Sequence, residues 1–215
     1  MAVVRLTSVI KSMNRCSDFL PIVVPRLLWM LRPVPSNRKR SFSAYQQHMF
    51  VQLAKLVSVV KSDFAEYLTD TVSLCTRYLA DEVKEYREAA AIEVTFLLRE
   101  LCLEMGKQFR PYAVYLLDPL ISVLIKDRSI DRKCASAVIE TLKVFGGHLI
   151  QYAEIVFSAL VLIAEDTTAS VSVRVEALEA LGSLVKNLNP IGELASPLVH
   201  PLVRLLGKGI AGERT

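Results

Sequence analysis

The fold is decided by a tetrapeptide that returns at regular spacing. Phe-Ala-Glu-Tyr at residues 64–67 reappears as Phe-Arg-Pro-Tyr at 109–112 and as Leu-Ile-Gln-Tyr at 149–152, at spacings of 45 and 40 residues. Each copy has an apolar first residue, and each ends in a tyrosine: Tyr67, Tyr112 and Tyr152. A motif that recurs at this period indicates a chain built from repeated structural units.

Charged residues recur in step with this motif. An Arg-x-x-Ala motif begins at Arg87, Arg132 and Arg174. Aspartate closes the predicted helices that precede these arginines, at Asp81, Asp127 and Asp166. A shared period of about 40 to 47 residues is typical of HEAT and armadillo repeats, in which paired helices bury their apolar faces only against neighbouring pairs.

Apolar residues follow the helical period between these marks. Leu53, Leu56, Val57 and Val60 recur at the i, i+3, i+4, i+7 spacing of one helical face. Ten helices are predicted, at about residues 2–14, 19–32, 44–62, 64–80, 87–105, 109–126, 131–145, 149–165, 173–188 and 193–206. The predicted fold class is therefore all-α, a right-handed α-solenoid of HEAT/armadillo-like helical hairpins.

The repeats divide the chain as a single solenoid segment over residues 1–215. The predicted units are a partial repeat at 1–15, full repeats at about 16–62, 63–106, 107–147 and 148–190, and a partial repeat at 191–215. Because solenoids need polar capping repeats and neither end has one, we expect a fragment of a longer chain. Met1–Asn14 is basic and amphipathic like a mitochondrial transit peptide, but its position favours the second helix of a preceding repeat.

Composition and charge exclude several classes of protein. Hydrophobic residues make up 52% of the chain and mean hydropathy is +0.36, a surplus that stacked helices can bury. No membrane span is expected, because Arg26, Asp118 and Glu154 interrupt apolar stretches that are already shorter than the roughly 20 residues required. The net charge is +4, and the positive excess comes partly from Met1–Arg40. At residues 82–110 basic residues are interleaved with acidic ones and form no stripe, so a nucleic-acid partner is not expected.

Three stretches resemble a known family. They are Gln-Leu followed by Leu-Val-Ser-Val-Val-Lys-Ser at 52–62, Val-Phe-Gly leading to a tyrosine at 144–152, and Ala-Leu-Glu leading to His-Pro-Leu-Val-Arg at 177–204. In this order they resemble the central HEAT region of TOR, the target-of-rapamycin serine/threonine protein kinases of the phosphatidylinositol-3-kinase-related group. Two departures are the long loop at 33–43 and the Tyr45-Gln46 pair in place of Arg-x-x-Ala, so the first full repeat should lack the arginine.

The resemblance implies a scaffold in growth and nutrient signalling. It implies protein partners, namely Raptor-like or Rictor-like accessory subunits or another TOR chain, and a cytoplasmic location with peripheral contact to endomembranes through complex partners. The alternative is a stand-alone HEAT adaptor of the transport-receptor or phosphatase-scaffold type. No small-molecule substrate is expected in either case.

Catalytic, cofactor and metal residues are not predicted in this chain, so the segment itself is not expected to be an enzyme. Phosphoryl transfer needs a phosphate-cradling backbone, a lysine and metal-binding acids. Asp127-Arg128 begins like the Asp-Arg-His of that group's catalytic loop, but Ser129 stands where histidine is needed. Cys16, Cys75, Cys102 and Cys134 lack the paired spacing of a zinc site, which indicates buried structural thiols.

The remaining candidates are structural or sit in loops. The repeated Asp and Arg residues are predicted to form a ladder in which guanidinium groups bind carboxylates and lock the turns. The loop Arg38-Lys39-Arg40-Ser41 is either a docking or phosphorylation site or a solvated insertion. Trp29, the sole tryptophan, either packs between the first units or anchors an interface.

Overall fold

The computed structural model describes residues 16–32, 42–81, 84–129, 131–186 and 203–204. The long helices in these ranges are α1 Leu20–Met30, α2 Ala44–Val60, α3 Leu68–Leu79, α4 Lys84–Met105, α5 Arg110–Lys126, α6 Lys133–Phe145, α7 Ala153–Glu165 and α8 Val171–Lys186. Short 3-10 segments precede every odd-numbered helix, at Cys16–Phe19, Lys61–Tyr67, Gly106–Phe109 and Gly146–Tyr152. The described ranges contain no strand, and the predicted all-α class is confirmed.

The predicted helix bounds agree with the structure to within about four residues. The largest differences lie at the tetrapeptide motif, where helices expected to start at residues 64 and 149 become regular α-helix only at Leu68 and Ala153. The 3-10 segments occupy the intervening residues. The helices predicted at 2–14 and 193–206 lie outside the described residues, except for Val203 and Arg204.

The turn between consecutive hairpins begins at a residue with positive φ. Lys61, Gly106 and Gly146 have φ values of 51°, 51° and 27°. Their spacings of 45 and 40 residues equal those of the tetrapeptide, so the motif marks this turn rather than a helix start. Glycine adopts positive φ without a Cβ penalty, whereas Lys61 holds the same turn against that penalty.

The tetrapeptide fixes the turn through its first residue. Phe64, Phe109 and Leu149 are each buried, while the closing tyrosines are only half-buried. The Tyr112 hydroxyl lies 2.7 Å from Thr69 Oγ1, which ties the start of α5 to α3. An apolar anchor followed by an amphipathic tyrosine therefore holds each turn to the core while its polar end stays near solvent.

The chain divides into two compact units, Met1–Val123 and Leu124–Thr215. In the first unit α4 packs against both α3 and α2. In the second unit α8 packs in the same way against α7 and α6. The contacts of α3 with α4 and of α7 with α8 join the two helices of one hairpin. The contacts of α2 with α4 and of α6 with α8 join the second helices of consecutive hairpins, which is how a helical-repeat protein buries its apolar faces.

Apolar side chains fill the interior of both units. In α4 they include Val94, Leu97, Leu98 and Leu101, and in α7 they include Val156, Phe157 and Leu160, all buried. Full burial of such a side chain contributes about 1.5–3 kcal/mol. Because α4 carries buried groups on two faces, it lies between its neighbours and supports both.

One helical stretch, Lys133–Glu165, is long and apolar enough to meet the length and composition criteria of a membrane span. Core helices of soluble proteins meet the same criteria. The stretch consists of α6 and α7 joined by the Gly146 turn, and the positive φ of Gly146 interrupts the regular α-helix. The expectation that no segment spans a membrane stays a prediction.

Candidate functional site

Asp127 organises the start of α6. Its side chain is almost completely buried. Oδ1 accepts hydrogen bonds from the Ser129 main-chain N–H at 3.0 Å and from the Ser129 hydroxyl at 2.6 Å. Oδ2 accepts one from the Ala135 N–H at 3.0 Å, in the first turn of α6. A carboxylate at this position satisfies an amide that has no partner within the helix and complements the helix dipole.

Asp166 repeats this arrangement one hairpin later. Its Oδ1 accepts from the Thr168 N–H at 2.9 Å and from the Thr168 hydroxyl at 2.7 Å. Its Oδ2 accepts from Arg132 Nη2 at 2.8 Å and from Arg128 Nη1 at 2.9 Å. Arg132 Nη2 also donates to Thr168 Oγ1 at 2.6 Å. The side chain thus joins the turn before α6 to the turn before α8.

This environment changes the acidity of Asp166. Hydrogen bonds from Thr168 and then from Arg132 hold the pKa of its carboxyl well below the ordinary value of an aspartate. Both bonds favour the charged form. Asp166 is therefore an ionised structural carboxylate at neutral pH rather than a proton donor or acceptor.

Arg132 is held in an unusual state. Its side chain is 2% exposed, against 61% for Arg128, which reaches the same oxygen of Asp166. Arg132 has left-handed backbone angles, φ 43° and ψ 44°, at the N-cap of α6. Its Nε and Nη1 atoms are buried without hydrogen-bond partners. Burial of a partly satisfied guanidinium is unfavourable, so its bond to Asp166 is needed to keep it in place.

The other predicted arginines bind main-chain atoms. Arg87 Nη1 donates to the carbonyl oxygen of Asp81 at 2.8 Å. Arg174 Nε donates to the carbonyl oxygen of Ala164 at 2.9 Å, near the end of α7. Both cations therefore satisfy carbonyls near the end of the preceding helix, where the helix dipole also favours positive charge. Of the six ladder residues, the structure joins Arg132 and Asp166 by an ion pair.

A second junction, in the first unit, uses neutral groups that sequence reasoning did not single out. Gln46 closes a capping box with Ser43 at the start of α2. Its Nε2 donates to the hydroxyls of Tyr78 at 3.0 Å and Tyr86 at 3.1 Å. Tyr78 in turn donates to the carbonyl oxygen of Leu31 at 2.5 Å. The only sequence sign of this junction is the missing arginine at Tyr45-Gln46.

Aromatic rings surround this junction. Tyr78 and Tyr86 stack at 5.5 Å, and Phe50 meets Tyr78 edge-on at 4.9 Å. Burial raises the pKa of Tyr78, and the hydrogen bond with Tyr86 raises it further. The hydroxyl therefore stays protonated and acts as a fixed donor.

An exposed face runs along α1. Trp29 is 57% exposed and Ile22 is 73% exposed. The guanidinium of Arg26 lies 4.8 Å from the centre of the Trp29 ring. Trp29 therefore does not pack into the described core, and the loop residues Arg38, Lys39, Arg40 and Ser41 lie outside the described residues.

A cleft of about 140 Å³ lies between α1 and α3. It is lined by Pro25, Leu28, Arg32, Asp70, Ser73, Leu74 and Arg77. Leu28 and Leu74 are buried and form its floor, and the charged residues are exposed at its rim. A second hollow of about 290 Å³ lies beside Asp166 and Arg128.

Three cysteines of the described ranges lie in the core. Cys75, Cys102 and Cys134 are buried and form no disulfide, and burial raises the pKa of Cys102 to about 12. A thiol with so high a pKa is a poor nucleophile at neutral pH. No cluster of three metal-binding side chains occurs among the residues that the structure describes.

The geometry defines a helical-repeat protein whose conspicuous polar residues hold repeats together. No family model matches the chain. Curated relatives do match, and they are TOR kinases. The chain is 30% identical over 205 residues to the serine/threonine-protein kinase TOR of Arabidopsis thaliana, and this match covers 94% of the chain. It is 28% identical over 214 residues to TOR of Oryza sativa, covering 96% of the chain.

A fungal relative shows the same relationship. The chain is 23% identical over 195 residues, 91% of its length, to the serine/threonine-protein kinase tor1 of Schizosaccharomyces pombe. In all three comparisons the match spans only 8% of the relative. The chain is thus similar to a limited region of the TOR kinases, and the resemblance predicted from the sequence is confirmed.

Proposed function

We propose that this chain is a non-catalytic helical scaffold segment of a TOR-type serine/threonine protein kinase. The observation that carries the proposal is the match of 94% of the chain to 8% of a TOR kinase. Within each unit the helices pack as an array of repeats, and the buried polar groups described above join its consecutive hairpins. Such an array supplies a long surface for other proteins.

The partners proposed for this surface are Raptor-like or Rictor-like accessory subunits or a second TOR chain, in the cytoplasm. Exposed apolar groups support a protein-binding role. Trp29 on α1, Leu103 on α4 and Tyr115 on α5 are each more than half exposed. Large aromatic side chains often supply the binding energy of protein interfaces.

Cross-linking of the native protein tests the scaffold role. The protein that carries this sequence is isolated from its own cells under gentle conditions, treated with a lysine-reactive cross-linker and analysed by mass spectrometry. Exposed lysines on both units, such as Lys55, Lys107 and Lys126, supply reporter positions. We expect links from these residues to accessory subunits or to a second copy. A complete absence of such links, with links elsewhere in the same complex, would contradict the proposal.

An immunoblot with an antibody against this sequence separates the two candidate functions. A TOR kinase segment should migrate within a polypeptide more than tenfold longer than this chain, because the match covers 8% of the relatives. A stand-alone adaptor should migrate near 24 kDa. Cell fractionation on the same samples tests the proposed cytoplasmic location.

A further inference from the structure

The cleft between α1 and α3 combines an apolar floor with charged groups that have no partner. Leu28 and Leu74 are buried beneath it, and the exposed side chains of Arg32, Asp70 and Arg77 also line it. In the part of the chain that the structure describes, none of these three charged side chains takes part in an ion pair or hydrogen bond. They are therefore free to meet a ligand.

The two arginines occupy equivalent positions of consecutive repeats. Arg32 and Arg77 are 45 residues apart, the same spacing as Lys61 and Gly106 at the turns between consecutive hairpins. Arg32 follows the C-terminal end of α1, and Arg77 lies in the last turn of α3. The repeat geometry thus places two cations at the same end of one cleft.

A capping role does not account for these arginines. The carbonyl oxygens near the end of α1 already accept hydrogen bonds: Leu27 from the Leu31 N–H at 3.1 Å, and Leu31 from the Tyr78 hydroxyl at 2.5 Å. At the end of α3, the Thr76 carbonyl accepts from the Ala80 N–H at 2.9 Å. These bonds reduce the negative potential of the helix ends, which would otherwise oppose the approach of an anion.

The size of the cleft limits its occupant. A volume of about 140 Å³ is below the roughly 300–1,000 Å³ of a site for a drug-sized ligand. It suits one apolar side chain lying on the leucine floor. Asp70 and Arg77 are seven residues apart on α3, about 10 Å along the helix axis, a distance that about three residues of extended peptide span.

We propose that this cleft binds a short acidic segment of a protein partner. An apolar side chain of that segment rests on Leu28 and Leu74, its carboxylates face Arg32 and Arg77, and a cation or amide faces Asp70. Guanidinium groups bind carboxylates with two parallel hydrogen bonds, which favours arginine at such a position. The proposal rests on the scaffold role above and names the chemistry of one partner.

Peptide binding to the complete 215-residue chain tests the proposal. The probe is a fluorescent Lys-Ser-Leu-Glu-Glu peptide, compared with the reversed sequence and with versions in which Gln replaces Glu or Ser replaces Leu. Fluorescence anisotropy measures affinity at low and high salt. We expect one of the two acidic peptides to bind about tenfold more tightly than its Gln and Ser versions, with the preference weakened by salt.

Variants of exposed residues locate the binding site. The double variant Arg32→Ala/Arg77→Ala should lose the preference for the acidic peptide. Asp70→Asn should lower the affinity for that peptide about two- to threefold, because the charge that faces the peptide lysine is removed. Arg110→Ala, an exposed arginine of the same unit outside the cleft, is the matched control and should bind as the unsubstituted chain does.

Three results would overturn the proposal. One is equal binding of the acidic and Gln peptides. Another is unchanged affinity in the double arginine variant when its circular dichroism shows that it is folded. If that variant unfolds, Arg77→Glu replaces it, and failure of Arg77→Glu to prefer a charge-reversed peptide would also overturn the proposal. The third is tight binding of a single-stranded oligonucleotide that displaces every peptide alike. None of these results affects cross-linking of the native complex, so the scaffold role is tested separately.

Discussion

Two junctions between consecutive hairpins are held by opposite chemistry. In the first unit, the amide of Gln46 donates to Tyr78 and Tyr86 within an aromatic cluster. In the second unit, the guanidinium of Arg132 donates to the carboxylate of Asp166. Both link the start of a second helix to the following repeat. The repeat architecture therefore fixes where a polar link is needed, and not which polar groups supply it.

The difference has energetic consequences. The neutral junction has no ion to desolvate, and each of its hydrogen bonds contributes about 0.5–1.5 kcal/mol. The charged junction buries a guanidinium with two unpartnered nitrogen atoms. Its stability therefore depends on the ionised partner, and we expect it to respond to pH while the neutral junction does not.

The largest expected effect follows the loss of Arg132. Arg132→Ala should destabilise the second unit by about 2–4 kcal/mol, because it removes the buried partner of a carboxylate and its packed stem. Hydrogen exchange of amides in α6 and α7 measures the loss locally. Arg128→Ala is the matched control, since it reaches the same oxygen from an exposed position, and it should cost at most about 1 kcal/mol. Equal effects of the two substitutions would contradict this view of the junction.

The next largest expected effect is the pH dependence of the destabilisation by Arg132→Ala. Folded Asp166 has a lowered pKa, so between the folded and unfolded pKa values the unfolded chain binds more protons and stability rises with pH. The contribution is fully present above the unfolded pKa of about 3.9 and is lost as pH falls through the folded pKa. The gap between the original chain and Arg132→Ala should be constant from about pH 7 to 5 and narrow below about pH 4. Urea unfolding at each pH measures it, and a gap that widens on acidification would contradict the assignment.

Substitutions at the neutral junction should destabilise the first unit less than Arg132→Ala destabilises the second. Tyr78→Phe keeps the ring that stacks on Tyr86 but leaves the Leu31 carbonyl and the Gln46 amide each without one partner, at about 1–2 kcal/mol. Tyr86→Phe removes the hydroxyl that binds Gln46 and Tyr78 but leaves the bond from Tyr78 to the Leu31 carbonyl, and should cost about half as much. Hydrogen exchange in α2 and α3 measures both. Because the groups are neutral, each substitution should reduce stability equally at pH 5 and pH 8. A difference between these pH values would contradict this, because it would require an ionisable group at the junction.

The smallest expected effects concern three positions, two at the turns between consecutive hairpins and one inside α8. Lys61→Gly should stabilise the first unit by about 1 kcal/mol, because Lys61 has φ 51° and ψ −127° where Gly106 stands in the next repeat. Gly106→Ala should do the reverse, since open space around it leaves backbone conformation as the only penalty. Gly182→Ala, inside α8 and also in open space, should stabilise by up to about 1 kcal/mol. Thermal unfolding of the three variants checks these signs.

The repeat period shows how much of the fold could be predicted from the sequence. The spacing of Tyr67, Tyr112 and Tyr152 gave the all-α class and the helix order, because each hairpin has the same apolar face to bury. From the same spacing we predicted helix starts at residues 64 and 149, and this was wrong. These copies of the tetrapeptide instead lie in a turn that begins with Lys61 or glycine. Periodicity locates equivalent residues and does not distinguish the first turn of a helix from a 3-10 segment.

The candidate polar residues were predictable only in part. The charges of Arg132 and Asp166 suggested a pairing that the structure contains, whereas Arg87 and Arg174, with the same motif, bind main-chain carbonyls. Nothing in the sequence indicated that Gln46 would bind two tyrosines. Which acceptor lies within hydrogen-bond distance depends on helix placement to within about 1 Å, and short-range periodicity carries no such information.

By itself, the sequence determined that this chain is a helical repeat similar to a limited region of the TOR kinases, because repeated apolar spacing and ordered motifs are properties of the chain alone. The tertiary structure decided which polar groups meet, that Arg132 is buried while Arg128 is exposed, and that Arg32 and Arg77 line one cleft. The physical reason is that burial and hydrogen bonding arise between helices distant in sequence, and their energies depend on distances that only packing sets.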